Sequence, residues 1–157
     1  MDVFFIITLV MVGFLLTRCK VASPFRGPAT EASHPPDHET ALIALTYVKT
    51  GTDSTKNAVF WENVMKVDAA LPQQQGYLGH SIRRVILGNE GWTMTVWDNE
   101  QNLKNFVHSE IHQAAIANGI DAVVKGRFAR IIVKRSDVPI SWGKAEKILK
   151  EQGRDLY

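Results

Sequence analysis

The chain of 157 residues holds a single cysteine and almost no surplus charge, with 18 Lys and Arg against 16 Asp and Glu. One cysteine cannot pair within its own chain, so a disulfide-stapled scaffold is excluded. A formal charge of +2 and a pI near 8.7 give no electrostatic footprint for nucleic acid, and no nucleic-acid partner is expected. Also missing are a P-loop, a G-x-S-x-G elbow, a paired-cysteine metal motif and any internal repeat. What is present is ordinary for a globular protein: 45% hydrophobic and 22% charged residues, enough to bury a core. The length fits one domain with an appendage.

That appendage is N-terminal. Residues 3–17 read VFFIITLVMVGFLLT, uncharged until Arg18. As a helix rising about 1.5 Å per residue the run spans about 22 Å, short of a bilayer core of about 30 Å. A cleaved signal peptide wants a basic start and a small-x-small cut site. Here the start is Met1-Asp2, and Ala22 and Ser23 sit between Lys20 and Pro24. A lipoprotein signal at Cys19 is spoiled by Arg18. Asp2 before the run and Arg18, Lys20 and Arg26 after it fit an uncleaved anchor helix with the remainder in the cytoplasm. A cleaved segment would instead make the domain periplasmic or secreted. The division expected is therefore an anchor or signal segment at 1–22, a proline-rich linker at 23–39, and a folded domain at 40–157.

Within the domain the pattern reads β-α-β-β-α-β. Residues 41–48, ALIALTYV, form a short apolar run suited to a buried strand. Thr52-Asp53-Ser54 offers helix caps, and Phe60, Val64, Val67 and Leu71 then fall on one helical stripe that Pro72 and Gly76 end. Residues 76–87 and 92–97 make a hairpin around Gly88-Asn89-Glu90-Gly91, with Trp92, Met94 and Val96 alternating against Thr93, Thr95 and Trp97. A second helix is expected from Asp98, capped with Gln101, with Leu103, Val107, Ile111 and Ala115 as its core stripe and Asn118-Gly119 as its end. Residues 127–135 supply the fourth strand, and Ser141 caps a final amphipathic helix. The class expected is α+β: a ferredoxin-like βαββαβ antiparallel sheet with helices on one face and an extra C-terminal helix. The other face would need cover, which sheet-to-sheet dimerisation supplies.

The stretches GYLGHSIRR and WTMTVWDNEQNLKNFVHSEIHQAA, residues 76–115, resemble the dimeric α/β-barrel superfamily, in its antibiotic-biosynthesis-monooxygenase-like branch. A strand ending in tryptophan and an acidic residue precedes a helix of form L-x-x-F-x-x-S-x-x-H, met by Leu103, Phe106, Ser109 and His112. The resemblance implies this fold and a homodimer, and makes His112 the leading site residue. It does not fix an activity, because one fold hosts many chemistries.

His108 and His112 are four apart and would share one helical face. Their spelling, H-S-E-I-H, lacks the glutamate placement of a zinc protease. Another metal would need a third ligand such as His80, and no metal is expected. Haem is a cofactor that the resemblance implies, since some members of the superfamily bind or degrade it and neutral imidazole is a competent axial ligand. Haem-degrading relatives carry a tryptophan and a histidine where this chain has Phe106 and Ile116, which removes that pair and puts haem degradation of that kind in doubt. The resemblance to monooxygenase-like proteins implies a third chemistry, oxygenation without a cofactor, which asks for an apolar cleft, a base and a few hydrogen-bond donors. His112 and His108 are the candidate bases, and Trp61, Met65, His80, Trp92, Trp97 and Phe106 the candidate lining. Three functions stay open: a membrane-tethered monooxygenase-like protein for a small lipophilic or aromatic compound, a non-catalytic module for haem or another hydrophobic ligand, and an interaction protein of the same fold.

Overall fold

The computed structural model describes residues 19–30 and 39–156. The anchor expected at residues 3–17 lies outside them; among the described residues no helix is long and apolar enough to cross a membrane. Four long strands, β2 (Thr40–Thr50), β3 (Tyr77–Val85), β4 (Glu90–Trp97) and β5 (Val123–Lys134), follow the βαββαβ order. Two short ones, β1 (Lys20–Ala22) and β6 (Arg154–Asp155), widen the sheet to β1-β3-β4-β2-β5-β6, with every pair antiparallel.

β2 is bonded on both edges, to β4 through Leu42↔Trp97 and Tyr47↔Trp92 and to β5 through Ile43↔Ile131 and Thr46↔Phe128. Side chains alternate along a strand, so two faces separate cleanly. Ala41, Ile43 and Leu45 join Met94, Val96 and Trp92 on one face. Leu42 joins Trp97, Tyr77, Leu103 and Phe106 on the other, beneath the helices. Helix α1 (Ser54–Ala70) is capped by Asp53, whose carboxylate accepts from the Thr55 and Lys56 amides at 2.9 and 3.0 Å.

Four local expectations are corrected. The single second helix is two: α2 (Glu100–Val107), capped by Asn99 rather than Asp98, and α3 (Glu110–Gly119), capped by Ser109. Ser109 takes extended backbone angles, and its hydroxyl donates to the Phe106 carbonyl at 2.7 Å, the local competition by which serine ends helices. Gly119 is not a left-handed terminator; its φ is −104° and the chain runs on into a 3-10 turn. The fourth long strand begins at Val123, ahead of the expected Arg127. Finally, the second face of the sheet is covered by the chain itself. Ala145, Ile148 and Leu149 of α4 (Trp142–Gln152) pack there with Ile140, joined by Phe25 and Ala29. Sheet-to-sheet pairing is therefore not required to bury it.

The described end of the segment read as anchor or signal and the described start of the segment read as linker both contribute to this packing. β1 runs along β3, the Ser81 hydroxyl donates to the Ser23 carbonyl, the Ser23 hydroxyl accepts from the Ile82 amide, and Arg26 bridges His80. Lys20 and Arg83 both reach Glu146 of α4, at 2.8 and 3.0 Å.

Trp97 is fully buried, stacks on Phe106 at 4.9 Å and donates its indole N–H to Thr95 at 2.9 Å. Trp97→Ala should lower the unfolding free energy by about 3–5 kcal/mol. The urea midpoint of the two proteins checks this, and an unchanged midpoint would show that the indole carries no core packing.

Candidate functional site

Between the helix-covered sheet face and helices α1 and α3 lies a cavity of about 500 Å³, within the range of small-molecule sites. Its existence follows from side-chain size. On the filled face the central strands present Ile43, Leu45, Trp92 and Met94. On the cavity side they present Ala44, Thr46, Val48, Thr93 and Thr95, which are too short to meet the helices. The roof comes from Phe60, Val64 and Val67 of α1 and from His112, Ala115 and Ile116 of α3. The break at Ser109 resets the helical phase, which is why His112 and not the expected Ile111 turns inward.

His112 lines the cavity, with its ring 4.7 Å from that of Phe106. Its Nδ1 lies 3.1 Å from the Val107 carbonyl, so Nδ1–H donates there and Nε2 keeps its lone pair. Burial pushes its pKa below the usual histidine range, only partly opposed by that carbonyl. A neutral imidazole at an apolar wall whose second nitrogen has no hydrogen-bond partner among the described residues is equipped to take a proton or to serve as an axial ligand.

His108 is exposed and forms the C-cap of α2. It does not share a face with His112, because the helix assumed to carry both is broken between them. Among the described residues no three His, Cys, Asp or Glu side chains are gathered as a metal would need, so His80, His108 and His112 form no ligand set.

Trp61 lines the cavity near one end, its ring lying over Gly91 and stacked by Arg84 at 3.8 Å. A Cβ on Gly91 would come within 2.4 Å of that ring, which is why the position is glycine. Phe106 lines the cavity and Trp97 lies beneath it. Met65 is 55% exposed and does not reach the cavity. Trp92 borders it by its place on β4, but its ring packs on the opposite face against Tyr47 at 5.3 Å and under Lys20 at 4.6 Å. Strand parity with Met94 sends it there.

His80 is buried in the cavity wall, bonded through Nε2 to Asp68 at 2.7 Å and through Nδ1 to the Tyr77 hydroxyl. Burial lowers its pKa, and Asp68 works against that shift. Burial, reinforced by Asp68, pushes the Tyr77 phenol up to about 12. Neither Asp68 nor Tyr77 stands out in sequence reasoning based on histidines and tryptophans. One signal was available for Asp68: it follows Val64 by four residues on the apolar stripe of α1, where a carboxylate has no reason to be unless partnered. Asn63, also buried at this wall, donates to the Val59 carbonyl and accepts from Asn118, tying α1 to α3.

No protein-family model matches the chain, and no curated protein matches it. Solved structures do. It superposes on a candidate monooxygenase from Fusobacterium nucleatum with a TM-score of 0.58 at 11% identity, over 72% of this chain and 51% of that one. On a candidate antibiotic biosynthesis monooxygenase from Nitrosomonas europaea the TM-score is 0.52 at 11% identity, over 71% and 94%. On a candidate monooxygenase from Lactobacillus acidophilus it is 0.51 at 14% identity, over 62% and 49%. This chain thus spans about half the length of the Fusobacterium and Lactobacillus proteins. The architecture is the ferredoxin-like fold of the antibiotic-biosynthesis-monooxygenase-like proteins, as residues 76–115 imply. At such identities the likeness carries the fold and no reaction.

The depressed histidine gives a pH dependence with a definite sign. His112 holds its proton less firmly when folded than at its unfolded value near 6.5, so unfolding takes up protons in acid. Its contribution to stability is present above that value and is lost as pH falls through the folded pKa. Urea midpoints from pH 8 to 5 should decline less steeply for His112→Gln than for the unaltered chain; equal slopes would contradict the burial effect.

Proposed function

We propose that the protein binds a small lipophilic or aromatic compound in this cavity and oxygenates it without a metal cofactor, as a membrane-tethered homodimer. The observation that carries this reading is the combination of an apolar cavity of about 500 Å³ with a neutral His112 whose Nε2 has no partner among the described residues. In such a site the base removes a proton from an activated carbon of an electron-rich substrate, and the apolar walls keep the resulting carbanion from water. The activated carbon carries two hydrogens. The carbanion is oxidised by dioxygen with formation of a C–O bond, and the peroxide takes back the proton held by the base. Loss of the second C–H proton with cleavage of the O–O bond leaves a carbonyl and releases the other oxygen as water. The tether would be residues 3–17, with the folded domain on the cytoplasmic side, and it would place the cavity beside the lipid in which such compounds concentrate.

A second reading, non-catalytic binding of haem or another hydrophobic ligand, is favoured by the same imidazole nitrogen. The two separate in one series. Hemin titration of the full chain should give no saturable Soret shift under the first reading, whereas a stoichiometric shift lost in His112→Ala would establish the second. Oxygen uptake with hydroquinone-like substrates should be present in the unaltered chain and reduced about 100-fold or more in His112→Ala. Silence in both assays would leave an interaction protein of this fold.

The cavity itself is tested separately. Ala44→Phe places a ring in its floor and should abolish binding of naphthalene, followed by tryptophan fluorescence, at a stability cost of about 1–3 kcal/mol. Undiminished binding by a folded variant would place the ligand elsewhere.

A further inference from the structure

We propose that Asp68, held by His80 and Tyr77, is the acceptor for a hydroxyl group of the ligand, so that the cavity selects small aromatic alcohols of the phenol or naphthol class over hydrocarbons of the same shape. The inference rests on the reading that the cavity holds an aromatic ligand, and adds a recognition and proton-accepting group at the wall formed by α1 and β3.

The backbone is specially shaped to bring the three side chains together. Residues three apart on a regular strand point to opposite faces. Tyr77 and His80 nevertheless meet, because the register of β3 against β4 slips between Tyr77 and Gly79 and inserts one extra residue. The slip runs through Gly79 at φ +154°, and a Cβ there would sit 2.4 Å from the Phe25 ring and 2.9 Å from the Arg26 carbonyl. Only glycine fits, so the bulge is fixed by sequence.

The hydrogen bonds then leave one atom over. His80 donates Nε2–H to one oxygen of Asp68 at 2.7 Å, and its Nδ1 is bonded to the Tyr77 hydroxyl. That hydroxyl also lies 3.1 Å from the Arg26 carbonyl, which already accepts the His80 amide at 2.8 Å. With His80 neutral and its Nε2–H on Asp68, Nδ1 is an acceptor, so the Tyr77 hydroxyl donates to it, while the Arg26 carbonyl keeps the His80 amide as its donor. The second carboxylate oxygen has no hydrogen-bond partner among the described residues, although Asp68 belongs to the cavity lining and its side chain is only 18% exposed. An acceptor-only group so placed takes its donor from water where no ligand is bound and from a ligand hydroxyl that displaces that water. When the ligand hydroxyl is acidic enough, its O–H bond breaks, the electron pair stays on the ligand oxygen and the proton forms an O–H bond on Asp68. His80 and Tyr77 are positioning residues in this step, and no electron changes hands.

The test uses the full chain with naphthalene and 2-naphthol, which differ by the hydroxyl alone. 2-Naphthol is also a photoacid, so a base in contact with it makes it emit as naphtholate. The unaltered chain should bind 2-naphthol about tenfold more tightly than naphthalene and show naphtholate emission from the bound probe. Asp68→Asn should keep its naphthalene affinity and lose both the preference and the emission. Tyr77→Phe should weaken the emission with naphthalene binding intact, and decides the matter if Asp68→Asn does not fold. Emission and preference that survive Asp68→Asn, or that survive Tyr77→Phe should Asp68→Asn not fold, overturn the proposal, as does their loss in His112→Gln, which would make His112 the acceptor. If the unaltered chain binds 2-naphthol and naphthalene equally, the hydroxyl site fails while the ligand cavity stands. If it binds neither, the cavity reading fails and this assignment with it.

Discussion

The pairing of β2 on both edges is the constraint from which the rest of the molecule follows. A strand bonded to β4 and β5 along its length cannot rotate, so its odd residues are committed to one side of the sheet and its even residues to the other. Ile43 and Leu45 are buried on the first side together with Met94 and Trp92. Ala44, Thr46 and Val48 leave the second side underfilled, and β4 repeats the economy with Thr93 and Thr95. The cavity is thus a consequence of two strands carrying short side chains on the same face, held apart from α1 and α3 by larger groups around the margin.

Those margins are aromatic and run in a row. His112 contacts Phe106, Phe106 stacks on Trp97, Trp97 meets Tyr77 edge-on at 6.2 Å, and Tyr77 lies 5.7 Å from His80. The row carries an imidazole at each end, and burial depresses the pKa of both. Their surroundings differ in kind. His112 is oriented by a backbone carbonyl and its other nitrogen has no partner among the described residues, whereas both nitrogens of His80 are committed, one to a carboxylate and one to a phenol. One end of the wall therefore offers a base on the histidine and the other offers it on the carboxylate behind which the histidine stands.

The opposite face of the sheet answers a different requirement. Expected from topology to be left bare for a partner copy, it is occupied by α4 and by the segment around Phe25. Glu146 clamps that arrangement by pairing with Lys20 and Arg83 together, so the cover at the N-terminal side and the cover at the C-terminal side share one carboxylate.

Periodicity and capping made the core fold legible in the sequence. Four strands, the α1 stripe, the hairpin and the Ser141 cap depend on short-range patterns that sequence displays directly. The site was legible in part: His112, His80, Trp61 and Phe106 stand at the cavity, while Met65 and the ring of Trp92 face away from it. Trp92 was misleading because alternation says which residues share a face but not which face a helix will cover. His108 was misleading because Ser109 reads equally well inside a helix and at its cap, and only the competing hydrogen bond to Phe106 separates the two. By itself, then, the sequence determined the elements, their order and the two faces of every strand, since these rest on local sterics and alternation. Tertiary structure alone decided the cavity, the cover of the second face and the meeting of Asp68 with His80 and Tyr77. Each of those depends on residues distant in the chain and, for the last, on a one-residue slip in register that no periodicity announces.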